Sequence, residues 1–287
     1  MKKIVRSPGS ATIVNAIATG YGSAFGINLD IIAKGKLISS KIKCSTDVNT
    51  DTNLMELSAK EVINYYGVKT GVDIDIESKL PQCSGLSSSS ALSNSVVSLI
   101  ANLISEEFGL KSLTDEEIIN LAIDASLKAN VTINGAYDDA TASYFGGITV
   151  TNNLKREIIL REKIEEYNIL IYMPNTVSLT VDSNVEKMKL LSPLVDVAFD
   201  LASKKEYFKA LTLNGLIYST SLGFDSKIAL DALENGALAS GLSGTGSAFV
   251  AISDNQYKDD IFDVWSSYPG KVLETQVDNI GTKLTSK

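Results

Sequence analysis

Residues 72–78 alternate Val72, Ile74 and Ile76 with Asp73, Asp75 and Glu77, a period of two that predicts a strand with one buried and one wet face. The run KLISSKIKC at 36–44 is expected to be a second strand of this kind. From Ser88 the spacing becomes helical. Leu92, Val96, Leu99, Leu103 and Ile104 fall on one stripe, and Gly109 is placed to end it as a C-cap. Thr114 with Glu117 three residues later is a capping-box signature, and Ile118, Leu121, Ala122 and Ala125 form the apolar face of the helix it opens. Beyond FGGITVT (145–151), the charged stretch NNLKREIILREKIEEYN is the expected domain boundary, dividing the chain into 1–153 and 154–287. The second half predicts a strand at 169–173, several helices between about 182 and 235, a Gly-rich loop, a strand at 247–252, a helix and a last strand at 271–277.

Composition narrows the classes of function. A chain of 287 residues, 44% of them hydrophobic, is long enough for one large or two ordinary domains with real cores. The net charge of −8 is not gathered into basic runs, which argues against a nucleic-acid partner. Apolar stretches such as VVSLIANLI stop well short of the roughly 18 residues of a membrane span. The beginning, MKKIVRSPGS, has no signal-peptide core, so a cytoplasmic protein without a membrane partner is expected. Cys44 and Cys83 lie in unlike contexts, which suggests neither a disulfide framework nor a zinc site. Histidine is absent. Acid–base chemistry therefore falls to carboxylates, Lys or Tyr, and Ser-His-Asp hydrolysis and His-ligated metals are excluded.

The stretch PQCSGLSSSSALSNSVV at 81–97 carries the strongest signal. A strand, a tight loop of small residues and a helix start bring several unpaired N–H groups and the positive end of a helix dipole to one point, which makes an anion site. Small side chains let phosphate oxygens approach the backbone, and hydroxyls add donors and a ligand for Mg²⁺. The candidate phosphate-binding set is Pro81, Gln82, Cys83, Ser84, Gly85, Leu86, Ser87, Ser88, Ser89, Ser90 and Ala91, with Ser88 and Ser89 as candidate metal ligands. Cys83 fits as a small filler. The loop is neither GxxxxGK[ST] nor GxGxxG.

P81-QCS-G85-L86-SSSSA91 resembles the P-x-x-x-G-L-G-S-S-A motif of the GHMP kinases, the family of galactokinase, homoserine kinase, mevalonate kinase and phosphomevalonate kinase. Ser87 stands where the family usually has Gly, a departure that strains the loop if this position needs positive φ. SPGSATIVNAIATGYGSAFGINLD (7–30) resembles the first family motif, which lines the phosphoacceptor site. SGLSGTGSAFVAI (240–252) resembles the third, which closes over substrate and phosphates. With GAYDDATASYFGG (135–147), the resemblance covers almost the whole chain. The first motif lacks the GEH of the galactose and mevalonate enzymes, and its wording is similar to that of the archaeal shikimate kinase branch. The resemblance implies an α+β architecture of two domains, an N-terminal β-α-β domain with a left-handed crossover and a C-terminal ferredoxin-like domain. It also implies ATP and Mg²⁺ as cofactors and a small-molecule substrate, shikimate, phosphorylated on the way to aromatic amino acids.

Two adjacent carboxylates in a histidine-free phosphotransferase suit a base toward a substrate hydroxyl or a Mg²⁺ ligand. Counted back from Gly146-Gly147, Asp139 takes the place of the mevalonate-kinase-like catalytic Asp; against the homoserine-kinase pattern, Asp138 does. Both remain candidates, beside the plainer reading that they cap the following helix. Ser10, Thr12 and Asn15 of the first motif and Ser243, Gly244, Thr245 and Gly246 of the third are the candidate substrate-binding residues, and Arg6 is a candidate partner for the acceptor's carboxylate. Homoserine or another small alcohol as acceptor, and a GHMP-fold sensor without turnover, are the alternatives. The sequence leaves monomer and homo-oligomer open.

Overall fold

The structure is a computed structural model that describes residues 2–47, 51–175 and 183–286. It is built on two sheets. β1 (Lys3–Val14) and β2 (Tyr21–Ile38) form a long antiparallel hairpin, and the eighteen residues of β2 serve further partners along their length. Tyr21–Phe25 pair with β5 (Ile148–Asn152), which in turn pairs with β6 (Glu157–Glu162); Ile31–Ile38 pair with β4 (Gly71–Ser78). β3 (Ile42–Thr46) lies parallel to β4 on its other side, and β11 (Lys283–Ser286) lines the free edge of β1.

The stretch 36–44 is therefore two strands and not one. Leu37 and Ile42 both register with Val72, from opposite sides of β4, so the chain crosses from one edge of β4 to the other through Ser39, Ser40 and Lys41. Lys41 takes φ 70° in this turn. The crossing needs Gly71, because a Cβ there would lie 2.1 Å from the Lys41 carbonyl oxygen. A period-two apolar pattern does not reveal such a crossing, since the residues on both sides of it face the same core.

Four helices accompany this sheet: α1 (Asn53–Tyr66), α2 (Ser88–Phe108), α3 (Asp115–Lys128) and α4 (Tyr137–Phe145). α2 packs on β1 and β2 and also touches α1, α3 and α4. Its buried residues, from Ser90 and Ala91 through Ser93–Ala101 to Leu103 and Ile104, encircle it, so the sequence stripe marks only part of its buried surface. The helix ends where expected, with Gly109 at φ 63° and its N–H on the Ser105 carbonyl. The capping box of α3 is complete: Glu117 N–H donates to Thr114 Oγ1 at 3.2 Å and Thr114 N–H to Glu117 Oε2 at 2.7 Å.

The second sheet is antiparallel, with β7 (Asn168–Pro174), β8 (Ala239–Leu242), β9 (Phe249–Ser253) and β10 (Gly270–Gln276) in the order β10-β7-β9-β8. Numbered along the chain this is 4-1-3-2. α5 (Val185–Lys189), α6 (Ser192–Ser203), α7 (Tyr207–Leu222) and α8 (Lys227–Glu234) lie between β7 and β8, and α9 (Lys258–Ser266) between β9 and β10. The plan is the ferredoxin-like one with extra helices in its first connection. α7 packs on both β8 and β1, so one helix braces the two sheets. Strand β6 inside the charged stretch and strand β11 at the end carry weak patterns, and both join the first sheet. The expected helix start at 182 falls outside the described residues; α5 begins at Val185. Among the described residues no helix is long and apolar enough to cross a membrane.

Candidate active site

A cavity of about 360 Å³ opens where the β1–β2 hairpin, the start of α2, the start of α4 and the β8–β9 loop meet. The loop before α2 is shaped by backbone in the left-handed region: Cys83 at φ 52°, Gly85 at 79° and Ser87 at 57°. Ser87 thus holds the strained conformation that its Gly-to-Ser departure raised as a question. Gly85 is confined as well as twisted. A Cβ there would lie 2.2 Å from the Ser243 carbonyl oxygen. Ser243 ties the three motifs together: its hydroxyl donates to the Gly85 carbonyl at 2.8 Å and accepts the Thr12 N–H at 3.1 Å. Ala248 N–H adds a bond to the Ser84 carbonyl at 3.0 Å.

The carboxylate pair sits at the N-terminus of α4 with unlike surroundings. Asp138 is buried, and its Oδ1 accepts from Asn153 Nδ2 at 2.7 Å. Asp139 is half-buried and close to Ser10, whose hydroxyl donates to Ser87 Oγ at 2.7 Å. Burial pushes Asp138 above the ordinary carboxylate range, opposed by the Asn153 amide and by backbone N–H groups of the helix start. Burial pushes Asp139 well above that range, the Asp138 charge adds to the effect, and the hydroxyls of Ser87 and Ser10 oppose it. A carboxyl held in this way is a better proton acceptor than a free one.

Of the candidate residues, Thr12, Asn15, Gln82, Cys83, Ser84, Gly85, Ser87, Ser88, Ser89, Asp138, Asp139, Gly244 and Thr245 line the cavity. Ser10, Pro81, Leu86, Ser90, Ala91, Ser243 and Gly246 are not among its lining residues. Leu86 and Ala91 belong to the core, Ser10 and Ser243 act through the hydrogen bonds just given, and Gly246 lies against Phe224. Arg6 is not brought to the cavity. Its guanidinium is held by Asp30 of β2 at 2.5 Å and by Asp278 at 2.6 Å, and the second contact ties the turn before β11 to β1. Two carboxylates outcompete any distant anion for it.

The cavity also has an apolar part that sequence reasoning missed: Leu54 and Met55 of α1, Leu92 of α2, and Val131 and Ile133 in the loop after α3. The 130–134 loop has no periodicity to mark it; its position just before the Asp pair was the available signal. No group of three His, Cys, Asp or Glu side chains that could hold a metal occurs among the described residues. Among the oxygens that line the cavity, the Ser88 and Ser89 hydroxyls and the two carboxylates are of the kind that suits Mg²⁺ shared with phosphate oxygens.

The GHMP kinases N terminal domain family matches residues 53–147, which hold both the phosphate loop and the Asp pair. A shikimate kinase from Methanobrevibacter smithii is 61% identical over 284 residues, 98% of this chain and 98% of its own. The chain belongs to the GHMP kinase family. A shikimate kinase from Methanothermobacter thermautotrophicus is 55% identical over 284 residues, 99% of this chain and 98% of its own. The GHMP fold is shared with the crystal structure of the Methanococcus jannaschii mevalonate kinase, at a TM-score of 0.77 and 16% identity over 96% of this chain and 98% of that one.

Proposed function

We propose that this GHMP kinase transfers the γ-phosphoryl group of ATP to a hydroxyl of shikimate, giving shikimate 3-phosphate. The observation that carries the reading is the likeness, over nearly the whole chain, to relatives named shikimate kinase, at 61% and 55% identity. The site supports it. N–H groups of the loop around Gly85 and Ser87, at the positive end of the α2 dipole, receive the phosphates. The apolar part formed by Leu54, Met55, Val131 and Ile133 takes the nucleotide base. Thr12, Asn15, Gly244 and Thr245 are left for the acceptor, beside Asp138 and Asp139. Ser88 or Ser89 would hold Mg²⁺ together with the phosphates, where the ion would supply charge neutralisation. The chain's own groups orient the acceptor hydroxyl in line with the γ-phosphorus and take its proton.

A ³¹P NMR spectrum of a reaction with ATP and shikimate tests this. The expected product is a single new phosphate monoester on the ring's 3-hydroxyl. Unchanged shikimate in the presence of folded protein and Mg·ATP contradicts the reading.

A further inference from the structure

Three residues of the cavity wall, Asn15, Ala16 and Ile17, lie in the turn between β1 and β2. The turn is closed by its own backbone and by one side chain: Gly20 N–H donates to the Ala16 carbonyl at 2.8 Å, and Ile17 N–H donates to Asn15 Oδ1 at 2.9 Å. The second bond fixes which end of the Asn15 carboxamide is free. With Oδ1 turned back onto the backbone, the Nδ2 amine is the end left to meet a ligand, so Asn15 offers donors and not an acceptor. An oxygen-rich anionic alcohol is the kind of molecule that accepts from it.

What holds this turn comes from the second half of the chain. Asn15 N–H donates to Asn214 Oδ1 at 3.1 Å, and the Asn15 carbonyl accepts from the Tyr218 hydroxyl at 3.3 Å. Asn214 and Tyr218 are four residues apart on α7, so one face of that helix grips both backbone groups of a single residue. At the far end of the turn, the Tyr21 ring packs on Phe199 of α6 with centroids 4.9 Å apart.

Stability alone does not account for Asn214. The residue is fully buried, and its Nδ2 has no hydrogen-bond partner among the described residues. An unpaired buried amide donor costs more than the single bond of this side chain contributes, and an apolar side chain of similar size would pack there at less cost. What the carboxamide supplies is a fixed place for Asn15 N–H.

We propose that Asn214 and Tyr218 are positioning residues for the acceptor, holding the Asn15 backbone so that its Nδ2 amine donates to an oxygen of the bound acceptor. The proposal rests on the phosphoryl-transfer reading above and adds that the second half of the chain sets acceptor affinity through Asn15. The groups assigned to the nucleotide come from α1, the loop before α2 and the 130–134 loop, with which α7 shares no hydrogen bond among the described residues. Acceptor affinity and ATP affinity are therefore expected to separate.

Steady-state kinetics with shikimate and ATP varied in turn test this in Asn214→Leu, Tyr218→Phe and Asn15→Ala, and in each α7 variant combined with Asn15→Ala. In Asn214→Leu the KM for shikimate is expected to rise about tenfold, the effect of one lost hydrogen bond. The KM for ATP stays within about twofold and kcat within about threefold. Tyr218→Phe removes only a hydroxyl and is expected to raise the KM for shikimate about threefold; it decides the matter if Asn214→Leu does not fold. In the Asn15→Ala background neither α7 substitution raises that KM further, because no side-chain amine is left to aim. A lower melting temperature with both KM values unchanged, the result for a mere brace, overturns the proposal. So do KM values for ATP and shikimate that rise together, or α7 effects that add in full to that of Asn15→Ala. A wild type that phosphorylates homoserine, mevalonate or galactose in place of shikimate contradicts the choice of acceptor alone, and the same split of KM values, read with that acceptor, still decides the role of α7.

Discussion

Ser10 and Ser87, 77 residues apart in the chain, share a hydrogen bond of 2.7 Å between their hydroxyls. The bond joins the first motif to the start of α2 at the point where Asp139 approaches both. Ser10→Ala removes one of the two hydroxyls that favour the charged form of Asp139. The carboxyl then holds its proton to higher pH, so the acid limb of kcat/KM is expected to move up, with kcat reduced about tenfold at neutral pH. A pH profile of kcat/KM for the variant and the wild type checks this.

Gly85 combines a φ of 79° with a close approach to the Ser243 carbonyl. Gly85→Val is expected to weaken ATP binding at least about tenfold, because the side chain must either displace Ser243 or force the loop to a new path. Calorimetric titration with a non-hydrolysable ATP analogue measures this, and the circular dichroism spectrum verifies the fold. Unchanged affinity in folded protein contradicts the phosphate-loop assignment.

Asp139→Asn separates activity from stability. Asp139→Asn is expected to lose about 10²-fold or more in kcat, with Asp138→Asn losing less. The stability effect has the opposite sign. The folded-state pKa of Asp139 is raised, so its favourable contribution is complete below the unfolded carboxyl value and is lost as pH rises through the folded value. At pH 8 the wild type carries the cost of a buried charged pair, and Asp139→Asn is expected to melt at higher temperature. Near pH 4 the difference closes. A variant less stable than wild type at pH 8 contradicts the assigned shift.

Thr114→Ala is the control away from the site. Losing the capping box of α3 is expected to cost about 1 kcal/mol in urea unfolding, with kcat unchanged.

The sequence was most informative where local chemistry dictates local structure. Thr114 with Glu117, Gly109 past the α2 stripe, and the small-residue loop ahead of Ser88 each sit where the pattern put them, because caps and tight loops are decided by neighbours in the chain. Contacts made over long separations were not legible in this way. Arg6 reads as a free cation near a substrate motif until Asp278, 272 positions later, is folded onto it. The crossing at Ser39–Lys41 depends on Gly71, and the Asn153–Asp138 bond on the return of β5 beside β2. Thr149 and Thr151 of β5 and Asn153 in the turn just past it are buried polar residues, and such groups require partners.

The most direct measurement is coupled ADP release with Mg·ATP and, in turn, shikimate, homoserine, mevalonate and galactose as acceptors. Thr12 and Asn15 of the first motif line the same cavity as the Asp pair. The expected result is a kcat/KM for shikimate at least about tenfold above that for any other acceptor. Brisk release with another acceptor and none with shikimate, from well-folded protein, contradicts the account and moves the assignment to that acceptor.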